Sequence, residues 1–121
     1  MADHAGIAVA AAQRVDGLDL DYSVATLAAV DDALDRFHRE GLAPSKLGET
    51  VFSFGAYVGE LIVRHNAGNW VDLPPEHPLG GGWPMVELPN GRIVNPVGKA
   101  FKRAERGATE SVVYFYDSLV S

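Results

Sequence analysis

The residues able to do chemistry fall in two stretches of helical spacing. In "GAYVGELIVRHNAGNW", residues 55–70, Glu60 and Arg64 stand four apart among apolar neighbours. Glu placed before Arg at that spacing is the favourable order for a pair on one helix face. With Glu49 and Ser53 they make the polar line of an otherwise apolar helix. One reading is an internal ion pair at the edge of the core. The other is a carboxylate in a cleft, held by Arg64 and by cations from another element. Cations beside Glu60 would keep it ionised, which suits an anchor better than an acid catalyst.

The second stretch is "NPVGKAFKRAER", residues 95–106, where Lys99, Lys102, Arg103 and Arg106 are spaced i, i+3, i+4, i+7. That spacing puts all four on one face, with Val97, Ala100, Phe101 and Ala104 on the other. Either the face is solvated and its cations favour the negative end of the helix dipole, or it docks an acidic protein segment or phosphate groups. A nucleic-acid partner is not expected, because no stacking aromatic is interleaved and the chain carries a net charge of −6.

Other signals exclude more than they assign. His4, His38, His65 and His77 have no metal-ligand spacing and the chain has no cysteine, so no metal and no cofactor is expected. His65 is explained by the end of its helix and His38 by an exposed face. "PLGGGWP", residues 78–84, lacks the Lys and Ser or Thr of a phosphate-binding loop and reads as a flexible loop with Trp83 exposed at its tip. No nucleophile elbow, kinase set or dinucleotide fingerprint is present. Whether the chain is an enzyme stays open, with the weight on a non-enzymatic role.

Helices must position these residues, and the pattern predicts where they run. An Ala-rich helix from about Ala5 to Val15, closed near Gly17, is expected to pack loosely at the chain end. Ser23 can cap a helix from Val24 to Glu40 whose inner stripe is Val24, Leu27, Val30, Leu34 and Phe37, while Asp32 with Arg36 and Asp35 with Arg39 form solvated pairs outside. A long central helix from Pro44 to about Asn66 is apolar on most sides. Gly48, Phe52, Gly55 and Gly59 share one row on it, so another element must approach its backbone closely. "NWVDL", "MVEL" and "RIVN" are short strands, and "PNG" between the last two supplies a tight turn with positive φ at Asn90 and Gly91. Asn95 and Pro96 open the basic helix, Gly107 closes it, and Thr109 caps a last helix that carries Val112, Val113, Tyr116, Leu119 and Val120 inward. The expected fold is α+β: helices, a small three-stranded antiparallel sheet, then two C-terminal helices, in a single domain spanning residues 1–121.

Composition agrees with one soluble globular domain, at 121 residues, 47% hydrophobic and 21% charged. Asp3 and His4 stand where a signal peptide has its basic segment, so no targeting signal is read. The uncharged run Thr50 to Gly59 is about half of what a bilayer requires, so no membrane span is expected. With no cysteine, a cytoplasmic address is the simpler expectation.

Together "GAYVGELIVRHNAGNW", "NGRIVNPVGKAFKRAERG" and "ESVVYFY" resemble a set of small bacterial domains of unknown function with the signature GAYxGExxxR, GxW, NPxxKxxKR and SxxxFY, over roughly residues 48–117. By that resemblance Gly55, Tyr57, Gly59, Glu60, Arg64, Trp70, Asn95, Pro96, Lys99, Lys102, Arg103, Ser111 and Tyr116 hold signature positions, and no reaction comes with it. The leading expectation is a protein- or peptide-binding module whose contact surface is the basic helix and the loop around Trp83, with an acidic protein or peptide as partner. A second is an anion or small-ligand pocket where Glu60, Arg64, Asn95 and Lys99 converge between the central helix and the sheet. A third, resting on size and acidity, is an antitoxin or immunity-like protein. The ligand, the partner's identity and the oligomeric state are not legible in the sequence.

Overall fold

The structure is a computed structural model that describes residues 1–41, 44–78 and 82–120. Its elements are α1 (Ala2–Asp16), a 3₁₀ turn (Val24–Thr26), α2 (Leu27–Glu40), α3 (Pro44–Asn66), β1 (Asn69–Val71), β2 (Met85–Glu87), β3 (Ile93–Val94), α4 (Pro96–Arg106), a second 3₁₀ turn (Ala108–Glu110) and α5 (Val112–Val120). The fold is α+β, with the helices and the three strands in the expected order. The sheet runs β1-β2-β3, antiparallel throughout, with Trp70 opposite Val86 and Val86 opposite Val94.

The central position of α3 follows from its circumference. Val51, Phe54, Ala56, Tyr57, Val58, Leu61 and Ile62 are all buried, which no helix on the surface could achieve. α1, α4 and the sheet pack around it. α1, expected to be loose, buries Ala5 and Ala8 completely and Ala12 almost so. Small side chains at this spacing let α1 and α3 come close.

The glycine row divides. A methyl built on Gly55 would stand 2.6 Å from the Cα of Val97, and one on Gly59 would run into the Trp70 ring and stand 2.9 Å from Cγ of Pro96. α4 and β1 therefore lie directly on the α3 backbone, as the glycines predicted. Gly48 meets nothing within 4 Å and is not part of that contact. The side chain of Leu47, and Gly80 and Gly81 of the loop, lie outside the described residues.

Several local expectations are corrected. The second helix opens as a 3₁₀ turn, with three residues per turn instead of 3.6, so Val24 swings off the apolar stripe and is 39% exposed. Ser23 makes no side-chain cap; its N–H donates to Asp21 Oδ1, and the Thr26 hydroxyl donates to the Ser23 carbonyl. A 3₁₀ turn also precedes α5, so its cap is Ser111, which accepts from the Tyr114 N–H, and not Thr109. Val120, on the final turn beyond the packed part of α5, is 51% exposed.

The β2–β3 hairpin differs for a reason written in Pro89. Gly91 has φ 86°, but Asn90 is not among the residues of positive φ. The Gly91 N–H donates to the Leu88 carbonyl and Asn90 Oδ1 accepts from the Arg92 N–H. Pro89 and Asn90 are thus the corners of an ordinary turn and Gly91 the left-handed residue after it, because proline presets the first corner at negative φ.

Candidate functional site

Three groups of side chains bear on function. The first gathers on the C-terminal half of α3, facing the connection between α1 and α2. Tyr22 there has φ 65°, uncommon for a bulky residue. It is held from every side: its N–H donates to Tyr57 Oη at 2.9 Å, its carbonyl lies 2.7 Å from His65 Nε2, its ring stacks on Tyr57 at 4.7 Å, and the Arg64 guanidinium lies 3.7 Å over its other face.

Tyr57 is fully buried, and its hydroxyl completes a chain of hydrogen bonds. Thr26 Oγ1 donates to the Ser23 carbonyl, so its one hydrogen is used and it accepts from Tyr57 Oη at 2.7 Å. Burial raises the Tyr57 phenol above its ordinary pKa, against the hydrogen bonds to Thr26 and Tyr22 that lower it. It stays a neutral donor. Tyr57→Phe is expected to cost about 2 kcal/mol in urea denaturation, since it leaves the Tyr22 N–H unpaired, and to speed amide exchange at Tyr22. A variant of unchanged midpoint and exchange rate would show that the chain of bonds contributes nothing.

Glu60 belongs to the same group. Trp70 Nε1 donates to Oε2 at 3.0 Å and Arg64 Nε to Oε1 at 3.5 Å, so both carboxylate oxygens are engaged within the chain. Glu60, Arg64 and Trp70 are brought together. Asn95 is a cap, accepting from the Gly98 N–H with its side chain, and Lys99 pairs with Glu110 at 2.5 Å. Glu60 and Arg64 therefore pair with each other, whereas Asn95 is bonded within the first turn of α4 and Lys99 to Glu110. His65 is likewise explained by the Tyr22 carbonyl, where the sequence offered only the helix end.

The second group joins α2 to α4. Arg103, expected on a solvated or docking face, is 3% exposed. Its Nε donates to Asp31 Oδ1 at 3.0 Å, and its Nη2 donates to Asp31 Oδ2 at 3.3 Å and to Asp35 Oδ1 at 3.1 Å. Asp31 Oδ1 also accepts from the Val112 N–H at the start of α5. Burial pulls the Arg103 pKa down, but the hydrogen bonds and charges of Asp31 and Asp35 outweigh it and hold the guanidinium above its ordinary value. Arg106 reaches Glu110 at 3.5 Å, and Lys102 stays exposed. Lys99, Arg103 and Arg106 thus meet acids of their own chain. Arg103 alone of this face is buried, because α2 presents Asp31 and Asp35 to it, a match between elements far apart in sequence.

Asp31 was legible and overlooked: it sits at i+4 from Leu27 and i+1 from Val30, inside the apolar stripe of α2. An acid in such a stripe asks for a buried cation. Nothing comparable marks Tyr22 or Thr26, which lie in a connection without periodicity.

Hydrogen bonding from Arg103 lowers the Asp35 pKa, and hydrogen bonding from Lys99 lowers that of Glu110. Groups depressed in the folded state stabilise it fully above their unfolded values and lose that contribution as pH falls through the folded ones. The urea midpoint is expected to be level near neutrality and to drop below about pH 4.5, the upper end of the ordinary carboxylate range. In Glu110→Gln the drop should be shallower; an equal drop would place the acid sensitivity elsewhere.

The third group is an aromatic row on the outside of α3. His4 meets Phe52 edge-on at 5.0 Å, Phe52 lies 6.2 Å from Trp83, and Trp83 stacks on Phe101 at 5.0 Å. Trp83 is not a free tip, since it lies back on α4 and α3, yet it remains 37% exposed. Beside this row is an open cavity of about 670 Å³ lined by His4, Ile7, Gly48, Glu49, Thr50 and Phe52. Ile7 on its wall is 55% exposed. The empty space over Gly48 belongs to it.

One family model, described as a family of unknown function (DUF6278), matches residues 7–118, a longer span than the resemblance read from the motifs. No curated protein and no solved structure matches the chain. None of the described helices is long and apolar enough to cross a membrane.

Proposed function

Since the chain belongs to this family of unknown function, whose description names no reaction, we propose from its side chains that it is a non-enzymatic binding module for a protein or peptide segment. The contact surface in this reading is the cavity between α1 and α3 with the aromatic row along it. The observation that carries it is a contrast in satisfaction. Glu60, Arg64, Lys99 and Arg103 are occupied by partners inside the chain. Ile7 and Phe52 instead line an open cavity of about 670 Å³, with Ile7 exposed on its wall and Trp83, also exposed, beside Phe52. A partly exposed tryptophan next to Phe52 is the side-chain type that anchors such contacts. The basic helix, by this reading, supports the fold and contributes Phe101 as the platform under Trp83.

Selection of random twelve-residue peptides on the folded protein tests the reading. Peptides should be recovered whose binding falls at least about tenfold on Ile7→Asp, an exposed site whose change leaves the core intact, and persists on Lys102→Glu. Recovery of no peptide would overturn it, as would peptides that lose binding on Lys102→Glu and keep it on Ile7→Asp, since the basic helix would then be the contact.

A further inference from the structure

The charge around the open cavity says what kind of segment fits it, an inference that rests on the binding reading above. We infer that the occupant is a cationic peptide segment, with apolar side chains entering the cavity and Lys or Arg at its rim, opposite in sign to the acidic partner that the basic helix suggested.

The argument starts from where the bases are used. The chain has ten Lys and Arg against sixteen Asp and Glu. Lys99, Arg103 and Arg106 of α4 and Arg39 of α2 are all paired with Asp31, Asp35 or Glu110. That cluster holds more cations than acids, so the rest of the molecule is more acidic than its net charge of −6 conveys. Among the described residues lining the cavity the one carboxylate is Glu49, which is exposed. Asp3, also exposed, stands four residues before Ile7 and so on the same face of α1. His4 adds a ring whose edge contact with Phe52 makes it part of the wall.

An apolar floor with an acidic rim recognises an amphipathic segment carrying positive charge, because apolar burial supplies affinity and the rim selects the sign. An acidic segment would meet Glu49 and Asp3 as like charges and be rejected. The aromatic row gives a cation a second contact: a Lys or Arg over the exposed face of Trp83 gains from the ring as well as from the carboxylates.

Two synthetic peptides of the same length and the same leucine positions, one with lysine and the other with glutamate at its polar positions, make the test. Binding is followed by ¹⁵N–¹H spectra of the intact chain. The lysine peptide should shift Ile7, Thr50, Phe52 and the Trp83 indole, should bind about tenfold or more tightly than the glutamate peptide, and should weaken several-fold on Glu49→Lys and in high salt. Equal binding of the two peptides, or no effect of Glu49→Lys, overturns the charge inference while leaving a binding cavity in place. Shifts confined to the exposed side of α5 around Tyr114, with none at the cavity, overturn it as well. Binding of neither peptide removes both the inference and the reading beneath it.

Discussion

Gly55→Ala is expected to destabilise the protein by about 2–3 kcal/mol, while the same change at Gly48, seven residues earlier on the same helix, should stabilise it by up to about 1 kcal/mol. The substitutions are identical and the intrinsic gain in helix propensity is the same. What differs is the neighbour. At Gly55 the new methyl would stand 2.6 Å from the Val97 Cα and 3.3 Å from the Ala100 and Val97 Cβ atoms. A backbone atom cannot rotate away as a side chain does, so α3 and α4 must separate along their whole contact. Val97 and Ala100 lie in that contact and are both buried. At Gly48 the methyl meets nothing within 4 Å and only the conformational gain remains. Urea denaturation of both variants, compared at equal slope, decides the matter. Gly55→Ala as stable as Gly48→Ala would mean that the two helices do not approach as described. For a domain with the usual 5–15 kcal/mol of total stability the Gly55 variant should also melt many degrees lower.

Arg103→Met is the second large effect, expected near 3 kcal/mol. The side chain is almost fully buried and ties three helices together, because Asp31 accepts from it and from the Val112 N–H at once. Methionine keeps much of the volume but leaves Asp31 without its cation and Asp35 with Arg39 alone. The penalty is held below the upper range for buried pairs because both acids keep some water, with side-chain exposures of 17% and 30%. Arg103→Lys separates charge from geometry. One ammonium cannot reproduce the fork that spans both carboxylates, so lysine should recover only part of the loss. Full rescue by lysine would show that charge alone matters there. The guanidinium is not perfectly satisfied even in the native chain, since Nη1 is buried without a hydrogen-bond partner. Its contribution is therefore strong pairing on one edge set against an orphan donor on the other. A triple Arg103→Met, Asp31→Leu, Asp35→Leu change would remove the buried cation with both of its acids, freeing Arg39 and the Val112 N–H, and a loss much smaller than that of Arg103→Met would identify unpaired acid as the source of the single variant's defect.

Much of this architecture is readable along the chain. The boundaries of α3, the three strands and their antiparallel order, the Asn95 cap with Pro96 at the first turn of α4, and the glycine signal for close packing at positions 55 and 59 all follow from local pattern and composition. Such signals are short-range: a cap needs three residues and a hairpin about seven. The misplacements are short-range too, and arise where two local solutions compete. Ser23 against a 3₁₀ turn, Thr109 against Ser111, and Asn90-Gly91 against Pro89-Asn90 are choices between neighbours differing by roughly a kcal/mol, which the surrounding packing decides.

The sites lay beyond that range. The sequence by itself determined which residues are charged, which faces of the helices they occupy and that α3 must be central, because these depend on residue type and a 3.6-residue period. It could not say which charge meets which. Arg103 lies 72 residues from Asp31 and Lys99 11 from Glu110, while Glu60 has its second partner 10 residues on in Trp70. Only the tertiary structure decided that Arg103 of α4 is buried against α2, that Tyr22 is clamped between Tyr57 and Arg64, and that a row of aromatic side chains lies beside the cavity lined by Glu49. The physical reason is that a charge pair is selected by distance in space, and distance is set by how helices lie across one another, which glycine contacts such as Gly55 on Val97 control.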